Sequence, residues 1–522
     1  MYRMILTIAL IATAVPAAEL TVFEGRLQQD EVQAHIHGMQ VVYESTDYFV
    51  AFTPDGMTDL SMDRTVLDSG DISPDDFVLV HVSSPRGLDH LDRLGETIFQ
   101  RGGVAIVKLS GPRPEVFVHD GVFFVQPLRV INTDRSLENP FLSRPLRGVD
   151  DDISDIVAAV SEDSIKACIQ YLQDYGTRYS STDSYDTACD WVQYKFESYG
   201  LTAVQQTFPM SSYDCQNVIA ELPGVTDSTK IWIICGHLDS TSGSAPSVAP
   251  GADDNASGSS AVIEAARLLS GYEFNYTIRF ICFGGEEQGL WGSDYYAGQA
   301  SSAGDDIIGV VNLDMVLYAP PGDDILWVPY NTPSHDLALA MEAICDTYVP
   351  ALTVDIEYSP GTTYSDHASF WSEGYAAVLG IEQEVYSNPY YHQTTDLLAN
   401  YTQYFPFGTN CIKGAIATIA YLAEPTGGTG MGEGGTQVPD FRVTGMSPNP
   451  VNSLLTVSLA REYSAGLEIS VFDITGRKVI SGSRDASEGT VSLDLSALPP
   501  GVYAVRISSG DFAQTRSVVV AR

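Results

Sequence analysis

The sequence predicts an α/β fold: a central, mostly parallel β-sheet sandwiched by helices, flanked by an N-terminal β-rich domain and a C-terminal β-sandwich. Three observations predict it. Between residues 230 and 382, continuous apolar runs rich in Ile and Val ("KIWIICG", "YTIRFICFGG", "IIGVVNLDM", "YAAVLGIE") alternate with segments of helical period. Strands read this way when helices cover both faces of a parallel sheet. Before residue 150 and after residue 439 the text instead alternates with period two, broken by Gly, Pro and Asp, which is the pattern of half-buried strands. With 522 residues the chain exceeds what one hydrophobic core supports, so several domains are required.

The elements follow in order. "MYRMILTIALIATAVPAAEL" carries Arg3, an apolar run from Met4 to Val15 and small residues at Val15 and Ala17, which is the layout of an export signal over residues 1–18. The run is too short to span a bilayer and no later stretch is long and apolar enough, so the expected product is soluble and lies outside the cytoplasm. Residues 19–150, with "YFVAFTP", "DFVLVHV", "GVAIVKL" and "GVFFVQPLRVI", read as the β-rich domain and a candidate prodomain. In it His35 and His37 share one face of a strand but lack a third ligand nearby.

From Ile153 the period changes. "ISDIVAAVSEDSIKACIQYLQDYG" and "DTACDWVQYKFESYG" place apolar residues three and four apart and end on Gly176 and Gly200, as helices do. They open an α/β domain over residues 151–423, which closes with a helix from Tyr404 to Leu422. "EPTGGTGMGEGGTQVP", residues 424–439, reads as a flexible linker. Residues 440–522, with "LTVSLA", "LEISVFD", "TVSLDL" and "VYAVRISS", read as the β-sandwich.

Charge and thiols narrow the partners. Acidic residues number 67 against 27 basic, and the net charge of -40 disfavours nucleic acid and anionic membranes. Seven cysteines in an exported chain cannot all pair within it. Cys235 and Cys282 sit inside apolar strands as buried thiols, which leaves Cys168, Cys189, Cys215, Cys345 and Cys411 as disulfide candidates.

The chemistry stands at strand ends. "IWIICGHLDS" ends on His237 and Asp239, "IRFICFGGEEQG" on Glu286 and Glu287, "VVNLDM" on Asp314, and His392 follows "AAVLGIE". The carboxyl ends of parallel strands form the ligand crevice of such sheets, so these side chains should converge. Two imidazoles and several carboxylates buried together need a cation, because uncompensated ions cost several kcal/mol each, and mixed N and O ligands suit zinc. In "APGADDNASGSS", Ala249 to Ser260, one carboxylate of Asp253 and Asp254 can bridge two ions, while the small residues let the backbone approach closely. The competing reading of the pair is a helix N-cap. Of the two glutamates, one can hold metal while the other takes a proton from water. Asp239, two residues after His237, can orient its imidazole.

"GHLDS", "PGADDNASG", "GEEQGLWGS", "NLDM", "YSDHASFW" and "HQTTD", in this order, resemble the co-catalytic zinc aminopeptidases of the leucyl aminopeptidase and aminopeptidase Y type, over residues 153–423. The resemblance implies a zinc-exopeptidase fold with two Zn²⁺ ions. His237, Asp254 and Asp314 would hold one ion and Asp254, Glu287 and His392 the other, with Asp254 bridging and Glu286 as general base. It also implies a cis peptide bond between Asp254 and Asn255. Relatives carry a cysteine-flanked loop with a Tyr before "SDH"; here "SPGTTYSDH" has no cysteine and Tyr364 directly precedes the motif, so Tyr364 either stabilises an oxyanion or lines the pocket. Tyr386, Tyr390 and Tyr391 either wall a pocket for an apolar N-terminal side chain or pack.

"SPNPVN", "FDITGRKV" and "LPPGVYAVRI" resemble the sorting domains of type IX secretion, which makes a secretion machinery a partner. The function these resemblances imply is a secreted metallo-aminopeptidase acting on peptide N-termini, with hydrophobic first residues preferred. Its rivals are a carboxypeptidase, which needs a basic group for the terminal carboxylate, a glutaminyl cyclase, expected to hold a single zinc, and a surface binding protein with a vestigial site. An intact Glu286 disfavours the last.

Overall fold

The structure of the protein, a computed structural model, describes residues 17–24, 39–53, 63–82, 91, 94–111, 123–131, 148–210, 212–322, 324–426, 443–447, 451–459, 463–473, 478–486, 490–509 and 512–521. Contacts divide the chain into two units, Met1–Gly430 and Met431–Arg522. His35, His37, residues 1–16 of the expected export signal and residues 427–439 of the expected linker lie outside the described residues.

The first unit begins with two four-stranded antiparallel sheets. One holds β1 (Ala17–Glu24), β2 (Gln40–Glu44), β3 (Tyr48–Thr53) and β4 (Arg64–Ile72) in the order β2-β3-β1-β4. The other holds β5 (Phe77–Val82), β6 (Gly95–Arg101), β7 (Val104–Leu109) and β8 (Phe123–Pro127) in the order β6-β7-β5-β8. Strand β1 starts at Ala17, where it pairs with Ile72, two residues ahead of the expected end of the export signal. The alternating sequence runs fold as expected because their apolar residues, among them Leu20, Val50, Phe52, Phe77, Leu79 and Ile106, share one buried cluster.

Helices α1 (Asp151–Ala158), α2 (Glu162–Gln173) and α3 (Asp183–Ser198) follow. The continuous helical period from Ile153 to Gly176 is split in two at Ser161, whose hydroxyl accepts from the Ser164 N–H at 3.1 Å and starts a new helix. A serine followed by Glu162 and Asp163 is an N-cap signal strong enough to interrupt an apolar stripe. Gly176 and Gly200 take positive φ (75° and 86°), as the helix ends require.

The eight-stranded sheet comprises β9 (Thr202–Met210), β10 (Tyr213–Leu222), β11 (Asp227–His237), β12 (Tyr276–Phe283), β13 (Asp306–Leu313), β14 (Ile325–Tyr330), β15 (Thr353–Tyr358) and β16 (Ala377–Glu382), in the order β15-β14-β16-β13-β11-β12-β10-β9. The central strands β16, β13, β11 and β12 run parallel, so their carboxyl ends share one rim, while β9, β10 and β14 add antiparallel pairings towards the edges. Between the strands lie α4 (Ala256–Leu269), α5 (Trp291–Ala303), α6 (His335–Tyr348) and α7 (His367–Ser372), and α8 (Phe405–Ala423) closes the unit.

Strand β11 shows why the sheet sits between two helical layers. Trp232 and Ile234 enter the cluster that includes α2, α4 and α8, whereas Ile231, Ile233 and Cys235 enter the opposite cluster with Tyr296 of α5 and Phe370 and Trp371 of α7. Successive side chains point to opposite faces, and each such burial stabilises by about 1.5–3 kcal/mol, so a continuous apolar run needs cover on both sides. All seven cysteines are buried free thiols, which corrects the disulfide expectation for Cys168, Cys189, Cys215, Cys345 and Cys411. Their side chains serve as small apolar filling in the main core.

The second unit contains a three-stranded antiparallel sheet of β17 (Val443–Ser447), β18 (Leu454–Leu459) and β21 (Thr490–Asp494), and a four-stranded one of β19 (Tyr463–Asp473), β20 (Lys478–Ala486), β22 (Gly501–Ser509) and β23 (Phe512–Val520). Leu455, Val457, Leu467, Ile469, Val471, Val505 and Ile507 share its core at every second position. Among the described residues no helix is long and apolar enough to cross a membrane.

Candidate metal centre

The rim formed by the parallel strands gathers the predicted residues. His237 is the last residue of β11, Asp314 follows β13, and Glu286 and Glu287 follow β12 through Gly284 and Gly285. The loop before α4 contributes Asp253 and Asp254, and His392 lies between β16 and α8. All are buried.

The pair of aspartates is not the helix cap. Asn255 caps α4, its Oδ1 accepting from the Gly258 N–H at 2.8 Å while its Nδ2 donates to the Leu313 carbonyl at 2.9 Å. The backbone there is so close to β13 that a Cβ on Gly258 would lie 2.2 Å from the Leu313 oxygen, so only glycine fits. The Asp254–Asn255 peptide bond is cis, as the resemblance implies.

Asp254 turns its two oxygens to different imidazoles: Oδ1 lies 3.2 Å from His237 Nε2 and Oδ2 lies 2.8 Å from His392 Nε2. Asp314 Oδ1 lies 3.3 Å from His237 Nε2, and Glu287 Oε2 lies 3.1 Å from His392 Nε2. The residues thus fall into the two sets expected, sharing Asp254. Donors around a tetrahedral zinc with bonds near 2.0–2.1 Å stand about 3.3 Å apart, which matches this spacing. Glu286 approaches His237 Nε2 only to 3.8 Å.

The electrostatics ask for a cation. Burial disfavours charge on His392, but Glu287 and Asp254 outweigh it and hold the imidazole up at about 10; His237 is likewise raised against its burial, by Glu286 and Asp314. Burial pushes Glu286 far above the carboxylate range and Glu287 to about 7, with neighbouring carboxylates adding to both shifts. Glu287 Oε1 is buried without a hydrogen-bond partner. Divalent ions among these donors would satisfy that oxygen and remove the repulsion, so the residues fit the metal their types suggested.

A supporting layer fixes the cage. His237 Nδ1 donates to the main-chain oxygen of Asp239 at 3.1 Å, which leaves Nε2 facing the carboxylates. The Asp239 carboxylate, 3.6 Å from that nitrogen, serves a different group than expected: Oδ1 accepts from Glu286 N and Oδ2 from Glu287 N, each at 3.2 Å. It therefore shapes the loop that carries both glutamates.

Several contributors had escaped the sequence reading. Asp396 accepts the N–H groups of Asp253 and Asp254 at 3.0 and 3.1 Å, and its only signal was its place in "HQTTD". Arg178, fully buried, donates to the carbonyls of Leu172, Leu238, Pro250 and Gly251 and ties the loops on either side of the cage; nothing in "GTRYS" announced it. Ser365 donates to Asp314 Oδ2 at 2.7 Å, and the Asp366 carboxyl is buried with no hydrogen-bond partner and raised by burial to about 7.

Tyr364 packs with Leu290 and Ala368 and against the cluster of Met315, Leu379, Ile381 and Val385. Burial, then Tyr386 and Asp314, keep its phenol protonated, so it can act only as a neutral donor. The tyrosine wall divides. The Tyr391 ring lies 3.8 Å from that of His392 and 6.5 Å from that of the exposed Tyr386, whereas Tyr390 turns away to stack edge-on against Tyr401 in the main core.

Residues 217–405 match the model of peptidase family M28, and residues 446–521 match that of the secretion system C-terminal sorting domain. A probable leucine aminopeptidase of Arthroderma benhamiae is 30% identical over 257 residues, covering 47% of this chain and 70% of the relative. A probable zinc metalloprotease of Pyrenophora teres f. teres is 33% identical over 189 residues, 32% of this chain and 39% of the relative. Among solved structures, LapB from Legionella pneumophila superposes with a TM-score of 0.53 at 19% identity, covering 67% of this chain and 99% of that one. The LapA aminopeptidase of the same organism gives 0.50 at 20% identity, covering 78% and 99%. At these identities the two structures speak to the fold alone.

Proposed function

The chain belongs to peptidase family M28, and on that premise we propose that it is a secreted zinc aminopeptidase that removes N-terminal residues, preferentially hydrophobic ones, from peptides. The observation that carries the reading is Asp254, whose two oxygens face two different imidazoles at 3.2 and 2.8 Å, the arrangement of a carboxylate that bridges two ions. His237, Asp254 and Asp314 would hold one Zn²⁺ and Asp254, Glu287 and His392 the other. When bound, such ions acidify a water and polarise the scissile carbonyl.

The chain's own residues do the rest. Glu286, close to the cage but outside hydrogen-bond range of its imidazoles, receives the water's proton and returns it to the leaving amine; burial has already pushed its carboxyl up, which suits a group that must both accept and give. Tyr364 offers its neutral hydroxyl to the developing oxyanion. Met315, Ile381, Val385 and Tyr391 supply an apolar surface beside His392 that favours a hydrophobic first residue. A carboxypeptidase is disfavoured, because Arg178 among the loops of the cage has its guanidinium committed to four main-chain carbonyls. Secretion is supported by the sorting-domain match and by the export-signal pattern of residues 1–18.

The test is hydrolysis of aminoacyl 4-nitroanilides against the same compounds with a blocked amine. Only the free amines should be cleaved, and Glu286→Gln should lower kcat by about 10²–10⁴ with zinc content kept, whereas Glu287→Ala should lose zinc. Cleavage of the blocked compounds alone sinks the reading.

A further inference from the structure

Four residues of the N-terminal strands converge on the seven residues that lead into Tyr364. Tyr358, which begins this stretch, donates its hydroxyl to Glu44 Oε1 of β2 at 2.7 Å. The Gly361 backbone lies against the Tyr43 phenol so closely that a Cβ there would sit 2.5 Å from the hydroxyl oxygen. Thr363 is held from two adjacent strands: its Oγ1 accepts from Gln126 Nε2 of β8 at 2.6 Å and lies 2.9 Å from His81 Nε2 of β5. The His81 ring then meets the Tyr364 ring edge-on, with centroids 5.8 Å apart.

The next residue, Ser365, is bonded to Asp314 of the cage. Tyr364 is thus suspended between a residue tied to the N-terminal strands and a residue tied to a proposed metal ligand.

The Thr363 contact is a polar one with defined directions. Burial lowers the His81 imidazole to about 4, so the ring is neutral in any working buffer. A neutral ring can accept the Thr363 proton at Nε2 while Gln126 donates to the same hydroxyl, which satisfies all three groups without charge. Apolar packing between two modules would not need such a triad.

We propose that His81 and Gln126 are positioning residues for the reaction: through Thr363 they set the direction of the Tyr364 hydroxyl, so the N-terminal strands are a working part of the active site rather than only a leader to be discarded. The inference rests on the aminopeptidase reading and on the oxyanion role of Tyr364 within it.

The test is a double-mutant cycle in the full-length zinc-loaded protein, with kcat, KM and zinc content measured for Thr363→Val, Tyr364→Phe, the double variant and Thr363→Ser. Thr363→Val should lower kcat by about tenfold, a misplacement effect, with KM and zinc near wild type. Thr363→Ser, which keeps the hydroxyl, should restore it. In the Tyr364→Phe background Thr363→Val should cost less than about twofold more, because the two act as one unit. Gln126→Leu, which alters the other end of the contact, should behave as Thr363→Val does and stands in for it if that variant does not fold.

Wild-type kcat in Thr363→Val, an equal loss in both backgrounds, or an unaffected Tyr364→Phe would each overturn the inference. Glu286→Gln separates the two levels: if it kills turnover while Thr363→Val is silent, only the positioning role falls. If Glu286→Gln stays active, the reading beneath it falls as well.

Discussion

Asp239→Asn is the most informative single change, because it keeps the shape of a buried side chain that touches no substrate. The two carboxylate oxygens accept the N–H groups of Glu286 and Glu287, both at 3.2 Å. The amide can serve only one of them and presents its own NH₂ to the other. One charge-assisted bond, worth about 1.5–3 kcal/mol, is lost and the second becomes neutral, so the expected loss of stability is about 2–4 kcal/mol. All five tryptophans lie between positions 191 and 371, so their fluorescence during urea unfolding of chelator-treated protein reports on this unit alone. Because the glutamate loop would shift, kcat of the zinc-loaded variant should fall by about 10²-fold, the cost of a misplacement near 1 Å. A variant within about 0.5 kcal/mol of wild type, the range of an ordinary surface substitution, with kcat unchanged, would refute the assignment of Asp239 to the glutamate loop.

Two further outcomes are expected. Burial raises the Glu44 carboxyl to about 7 against the opposing hydrogen bond from Tyr358, so its contribution to stability is complete below its ordinary value of 4.5 and is lost as pH rises through 7. Melting temperatures of wild type and Glu44→Gln should therefore diverge in favour of the variant between pH 5 and 8, and a constant difference would contradict the burial argument. The seven thiols should be inaccessible to a thiol reagent in the native protein and all react after denaturation without reductant; fewer than seven would reveal a disulfide.

The site was legible because of where its residues stand along the chain. His237, Glu286, Glu287 and Asp314 each follow an apolar run too rich in Ile and Val to be anything but a buried strand, and parallel strands of such a sheet present their ends to one crevice. The pairing of Asp254 with both imidazoles needed the resemblance. The break at Ser161 was legible too, but the apolar stripe on either side outweighed it in the reading.

Other features left no local trace. Arg178 works by reaching carbonyls as far away in sequence as Gly251, and Asp396 grips the backbone of Asp253 from more than a hundred residues downstream. Tyr390 and Tyr391, neighbours in sequence, part company because one ring finds Tyr401 and the other His392.

The sequence by itself determined the layered architecture and the kinds of donor atom available, since periodicity and residue type are properties of short stretches. Only the tertiary structure decided that the Asp239 carboxylate serves the glutamate loop, that no two cysteines bond and that the N-terminal strands hold Thr363. These depend on distances between segments remote along the chain, which are set by how whole layers pack and not by any pattern within one of them.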